Sequence, residues 1–127
     1  MPTDQPAASE TPIRVVIGTT VLTGRLWDNA TARDLLGQLP LSLTFRDFNG
    51  VEKIAALPRK LSMEGVPAGD DPLPREIGYY HPSGDLVFYY EDVGYFTGIV
   101  RLGQFDGSVD AIARQTGSFT ARIERAE

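Results

Sequence analysis

Apolar and polar residues alternate along most of the chain, and this pattern predicts a fold of short β-strands. Turn signals separate several of the strands, among them Asn49-Gly50, in which both residues tolerate positive φ. We expect eight strands, at residues 13–17, 21–27, 41–46, 51–56, 77–81, 86–90, 99–105 and 119–124. Many short strands at such spacing are typical of a β-barrel or a β-sandwich.

Two segments show helical spacing instead of alternation. Asn29 or Asp28 is a candidate N-cap for the first helix, and Pro40 ends it. Ser108 is the candidate cap of a second short helix, which Gly117 ends. The chain is therefore mainly β, with two short helices inserted between strands.

Two other segments carry no regular pattern. Residues 1–12 contain three prolines and few apolar residues, so we expect a disordered leader ahead of one domain at residues 13–127. Residues 58–75 contain four more prolines and predict a long irregular connection, either a surface excursion or a functional loop.

Composition excludes several classes of site. The chain has 127 residues, 42% of them apolar, which suits one globular domain. It has no cysteine and one histidine, which excludes disulfides, thiolate sites and multi-histidine metal sites. A net charge of −5 argues against nucleic-acid binding, and no apolar run reaches the length of a membrane span. We expect no metal and no cofactor, and a cytoplasmic location by default.

Residues 76–91 (EIGYYHPSGDLVFYYE) resemble the signature of small bacterial proteins with a cyclophilin-like fold. Gly78, Tyr79, Tyr80, Pro82 and Gly84 carry the match. The segments at residues 28–45 and 49–58 are also typical of that family, so the resemblance covers residues 13–124. It implies a closed or nearly closed eight-stranded barrel, capped by helices at its two ends.

The same resemblance raises the question of catalysis. Cyclophilins are peptidyl-prolyl isomerases in which an arginine donates to the twisting prolyl amide beside an apolar pocket. Their motif places Lys53 of this chain, in residues 51–54 (VEKI), where that arginine stands. Lysine lacks the planar donor fork of arginine, so we expect weak isomerase activity at most. Lys53 and Arg46 are the candidate catalytic residues.

Aromatic residues crowd into residues 79–96, where they either fill the barrel or line an external groove. Tyrosine suits a groove because its ring packs while its hydroxyl forms hydrogen bonds. The predicted ligand-binding residues are Phe45, Tyr79, Tyr80, His81, Phe88 and Tyr90.

The resulting hypothesis is a module that binds a peptide or a small molecule. The alternatives are a weak prolyl isomerase and an assembly or subunit module, and the oligomeric state stays open. His81, Ser83 and Asp85 have the composition of a catalytic triad, but we interpret them as a polar turn. Asp70-Asp71 and Glu91-Asp92 lack the spacing of a calcium loop, so we interpret them as solvated loops.

Overall fold

The computed structural model describes residues 10–126, in which eight antiparallel strands close into a barrel. In chain order the elements are β1 (Thr11–Ile17), β2 (Thr20–Leu26), α1 (Ala30–Leu36), β3 (Leu41–Phe48), β4 (Glu52–Ala56), β5 (Gly69–Asp70), β6 (Glu76–Tyr80), β7 (Asp85–Tyr89), β8 (Phe96–Thr97), β9 (Ile99–Phe105), α2 (Asp110–Ala113) and β10 (Phe119–Arg125). Around the barrel the strand order is β1, β10, β3, β4, β7, β6, β9 and β2, which pairs again with β1. Closure leaves no unpaired edge among these strands.

Aromatic rings fill the inside of the barrel. Phe45 of β3 stacks on Phe88 of β7 with the ring centroids 4.5 Å apart, and Phe105 of β9 meets Phe88 edge-on at 5.1 Å. Phe119 of β10 also stacks on Phe45, with the ring centroids 5.6 Å apart. The interior is thus a packed core, and any site has to lie at an end or on the outer surface of the barrel.

The sequence-based fold prediction is confirmed: the structure is mainly β, with an eight-stranded closed barrel and two helices. Asn29 caps α1, since its side-chain oxygen accepts the Ala32 N–H at 2.8 Å. The N-cap residue of α2 is Val109 instead of the predicted Ser108, whose Oγ nevertheless accepts the Asp110 N–H. Neither helix in residues 10–126 has the length and apolar character needed to cross a membrane.

Most strand boundaries differ from the prediction by one or two residues, and the differences that matter most lie at two places. β1 begins at Thr11, so two residues of the predicted leader belong to the sheet, where Thr11 pairs with Leu26 of β2. Glu10, just before β1, pairs with Arg25 of β2, and leader residues 1–9 lie outside the described residues. Within the predicted connection at residues 58–75, β5 pairs with β8 as a separate two-stranded ribbon. A strand of two residues is too short to produce an alternating pattern in the sequence.

Gly103 permits the close approach of β9 and β2. A Cβ atom at this position would lie 2.0 Å from the Arg25 carbonyl oxygen and 2.8 Å from the Leu26 Cα. Both neighbours are backbone atoms of β2, so a side chain at residue 103 would push the two strands apart.

We therefore expect Gly103→Ala to lower the free energy of unfolding by about 2–3 kcal/mol, as overpacking of a closed interior does. Urea denaturation followed by circular dichroism measures the change. Gly107→Ala is the matched control, because no atom lies within 4 Å of a Cβ there, and we expect it to stay within about 0.5 kcal/mol of wild type. Equal destabilisation by the two substitutions would contradict the close approach.

Candidate functional site

A concave apolar surface lies on the outside of the barrel, across β3, β4, β7 and β6, and extends to β8 and the start of β9. We call it the outer groove, and it encloses about 650 Å³. Its lining comprises Arg46, Phe48, Asn49, Val51, Glu52, Ile54, Tyr80, Ser83, Asp85, Val87, Tyr89, Val93, Phe96 and Ile99. This volume is typical of sites that hold a small ligand or a short peptide segment.

The floor of the outer groove is a second apolar cluster, separate from the barrel core. Ile54 of β4 and Val87 and Tyr89 of β7 form it, and Tyr80 and Val93 pack against it. Val87 pairs with Ile54 across the two strands, so their side chains lie together on the outer face. The strand β7 is therefore apolar on both of its faces.

Strand alternation divides the aromatic residues between the two faces of the sheet. Side chains of successive strand residues point to opposite faces, so Tyr79 and Phe88 point inward while Tyr80 and Tyr89 point outward. Tyr89 lies over Gly78 of β6, where a Cβ would meet the tyrosine ring at 2.6 Å. Gly78 therefore leaves room for the ring that forms the floor.

Of the predicted ligand-binding residues, Tyr80 alone lines the outer groove. Phe45, Tyr79 and Phe88 belong to the barrel core, each at most 1% exposed, and the Tyr79 hydroxyl accepts the Leu61 N–H at 3.0 Å. These three side chains point into the barrel and do not line the outer groove. Whether any of the predicted residues binds a ligand stays a prediction.

His81 and Tyr90 also lie outside the groove lining. The His81 ring contacts Tyr79 with centroids 6.2 Å apart, and its backbone N–H donates to the Gly98 carbonyl. The Tyr90 hydroxyl donates to Asp47 instead of facing the groove, and burial together with this bond raises the pKa of Tyr90 to about 12.

The two candidate catalytic cations have different surroundings. Lys53 is 2% exposed, and its Nζ donates to the Gln115 carbonyl at 2.8 Å and pairs with Asp47 at 3.2 Å. It also lies over the rings of Tyr90 and Phe119. Lys53 is thus an internal tie between β4 and the segment after α2. Of the two predicted rim charges, Arg46 lines the groove and Lys53 does not.

Glu52 gives the outer groove an unusual electrostatic property. Burial, followed by the charges of Asp85 and Asp47, raises the pKa of Glu52 to about 7. No other residue in the described part of the chain forms a hydrogen bond or an ion pair with this carboxylate that would offset the cost. Near neutral pH the groove therefore contains a carboxyl group that is divided between its neutral and charged forms.

The sequence gives one signal that identifies this face. Residues 86–90 are apolar at every position, so both faces of that strand have to be covered or functional. Val87 and Tyr89 were nevertheless not predicted as site residues, because alternation does not show which residues face outward when both faces of a strand are apolar. Glu52 and Ile54 of β4 were not predicted either.

His81, Ser83 and Asp85 do not form a catalytic triad in the structure. Ser83 Oγ donates to the Asp85 carboxylate at 2.8 Å, as in a polar turn, and the buried Nδ1 of His81 has no hydrogen-bond partner among residues 10–126. In the same residues no group of three acidic or histidine side chains is placed to hold a metal ion.

The model of the cyclophilin-like family matches residues 15–124, which is most of the chain. The chain belongs to the cyclophilin-like family. This cyclophilin-like domain also resembles the solution structure of a hypothetical protein from Archaeoglobus fulgidus, with a TM-score of 0.71 and 14% identity over 93% of this chain and 96% of the other. At that identity the likeness concerns the fold alone. No curated protein matches the chain.

Lys53 provides the first test of this arrangement. We expect Lys53→Met to lower the free energy of unfolding by about 1–3 kcal/mol, because it leaves the Gln115 carbonyl and Asp47 without their buried donor. Urea denaturation measures the loss, and Lys60→Met, at the other lysine of the chain and on the surface, is the matched control. Equal midpoints for the two variants would contradict the internal tie.

Glu52 provides the second test. A carboxyl group whose pKa is higher in the folded than in the unfolded chain destabilises the fold when it is ionised. For Glu52 this loss of stability is absent below about pH 4.5 and complete above about pH 7. We expect Glu52→Gln to raise the free energy of unfolding by about 1 kcal/mol at pH 8, a value reduced for solvent screening, and to change it little at pH 5.

Denaturation of wild type and variant at both pH values measures this difference. Glu64→Gln removes an exposed carboxylate elsewhere and serves as the control, with an effect that we expect to be equal at the two pH values. A Glu52→Gln effect that is independent of pH would contradict the raised pKa.

Proposed function

We propose that this cyclophilin-like domain is a binding module that holds a peptide or an apolar small molecule in the outer groove. The observation that supports the proposal best is the concave surface of about 650 Å³ above the second apolar cluster of Ile54, Val87 and Tyr89. These three side chains are at most 8% exposed, so the apolar area available to a ligand comes from other lining residues, above all Phe48 and Phe96.

The rims of the outer groove support the same function. Phe48 on β3 and Phe96 on β8 are 43% and 53% exposed, and they lie on opposite sides of the apolar floor. Large exposed rings beside a concave apolar floor are common at binding sites, since a ligand that covers them removes apolar area from water. Arg46 and Glu52 add the few polar groups that orient a ligand.

Weak prolyl isomerase activity is the second candidate, and Arg46 is the observation in its favour. Its side chain lines the groove opposite Ile54, and no ion pair with another of the described residues occupies its guanidinium. Such a group can donate to a peptide carbonyl or to a twisted amide nitrogen beside an apolar surface. Lys53 is a poor candidate for this role because its ammonium is engaged inside the barrel end.

The test is a two-dimensional NMR titration with the neutral peptide acetyl-Ala-Ala-Pro-Phe-Ala-amide. We expect saturable shifts at the groove residues, centred on Ile54, Tyr80 and Val87. Phe96→Ala should weaken binding about fivefold or more, because it removes a rim ring. Tyr95→Ala is the matched control, since this neighbouring ring is 64% exposed and lies outside the groove lining.

Exchange cross-peaks of the prolyl bond in the same samples separate the two candidates. Accelerated exchange that Arg46→Ala removes would support the isomerase, and binding without acceleration would support the module alone. Absence of shifts at millimolar peptide would contradict both. A mass that increases with protein concentration, together with absent shifts, would instead support an assembly module.

A further inference from the structure

Glu52 lies in the outer groove without a partner. Its cross-strand neighbours are Phe48 of β3 and Tyr89 of β7, so an aromatic residue lies on each side of the carboxylate. The side chain is half-buried, and within residues 10–126 neither a hydrogen bond nor an ion pair to another residue compensates it. A carboxylate in such surroundings costs free energy unless a cation or a donor arrives from outside the chain.

The nearby charged groups of the chain do not offset the free-energy cost of the half-buried Glu52 carboxylate. Asp85 of β7 lines the same groove and adds a second negative charge. Lys53 is adjacent to Glu52 in sequence, but its ammonium points away, to Asp47 and the Gln115 carbonyl. Arg46 lines the groove on the neighbouring strand without pairing with Glu52, so the part of the groove around Glu52 attracts cations.

We propose that the outer groove takes a peptide segment with an apolar side chain next to a lysine or arginine, whose cation pairs with Glu52. This inference rests on the proposed binding function and specifies its ligand. The apolar side chain packs against the partly exposed ring of Tyr80 and the exposed ring of Phe96, while the cation lies between Glu52 and the exposed ring of Phe48. A cation over an aromatic ring gains attraction in addition to its pairing with the carboxylate.

The extent of the groove favours a peptide over a small amine. Its lining runs from Phe48 on β3 to Ile99 on β9, and these strands are four positions apart around the barrel. At about 4.8 Å per strand this distance is about 19 Å, which an extended chain of about six residues spans. A small amine would contact Glu52 but leave the far rim at Phe96 uncovered.

The proposed preference depends on pH. Because the pKa of Glu52 is about 7, its carboxylate is charged at pH 8 and mostly neutral at pH 5.5. The charged and titratable groups on the strands around it are Arg46 and Asp47 of β3, Lys53 of β4, and Asp85 and Tyr89 of β7. Pairing with a cation favours the charged form, so binding of a basic peptide releases a proton near neutral pH.

The experiment compares three peptides of the form acetyl-Ala-Phe-Xaa-Phe-Ala-Ala-amide, in which Xaa is lysine, norleucine or glutamate. Affinities come from calorimetric titration of the full chain at pH 8 and pH 5.5. We expect the lysine peptide to bind about tenfold more tightly than the norleucine peptide at pH 8, and the glutamate peptide to bind most weakly. In Glu52→Gln, and in wild type at pH 5.5, we expect the ratio of lysine to norleucine affinities to fall below about threefold.

Glu91→Gln, at an exposed carboxylate outside the groove lining, is the matched control and should keep the tenfold ratio at pH 8. Equal affinity for the lysine and norleucine peptides in wild type would overturn this inference and leave the binding function intact. Absence of binding by all three peptides would overturn both. Phenethylamine, a small aromatic amine, is titrated in the same way. If it bound as tightly as the lysine peptide, the conclusion that the ligand is a peptide would be wrong.

Discussion

Closure of the sheet fixes the direction of every side chain in the barrel strands. In an open sheet a strand can shift at an edge, but in this barrel each strand has a hydrogen-bonded neighbour on both sides. One set of alternate residues then fills a core that already contains Phe45, Phe88 and Phe105. The other set has to face outward, whatever its chemistry.

The strand β4 shows what this constraint does to neighbouring residues. Glu52 and Ile54 face the outer groove, whereas Lys53 between them enters the barrel end and reaches the Gln115 carbonyl. Two opposite charges that are adjacent in sequence therefore never meet. The lysine is compensated by Asp47 and backbone, and the glutamate stays uncompensated in an apolar surface, which gives the groove its chemical character.

Much of the fold was predictable because its signals are local. The Asn49-Gly50 turn, the Asn29 cap and the alternation in β1 and β10 each depend on a few consecutive residues. The site was less predictable because it depends on parity and on distant partners. Residues 86–90 are apolar throughout, so alternation could not decide whether Phe88 or Tyr89 faces outward. The burial of Lys53 depends on Gln115, and no local pattern indicates that contact.

Gly78 and Tyr89 share one volume in the floor of the outer groove. The tyrosine ring occupies the position that a side chain at residue 78 would need. Among related sequences the two positions should therefore covary: a larger residue at position 78 requires a smaller one at position 89. Such a pair of substitutions would place the larger side chain on β6 instead of β7 and leave the barrel strands unchanged. The depth of the groove can therefore evolve independently of the fold.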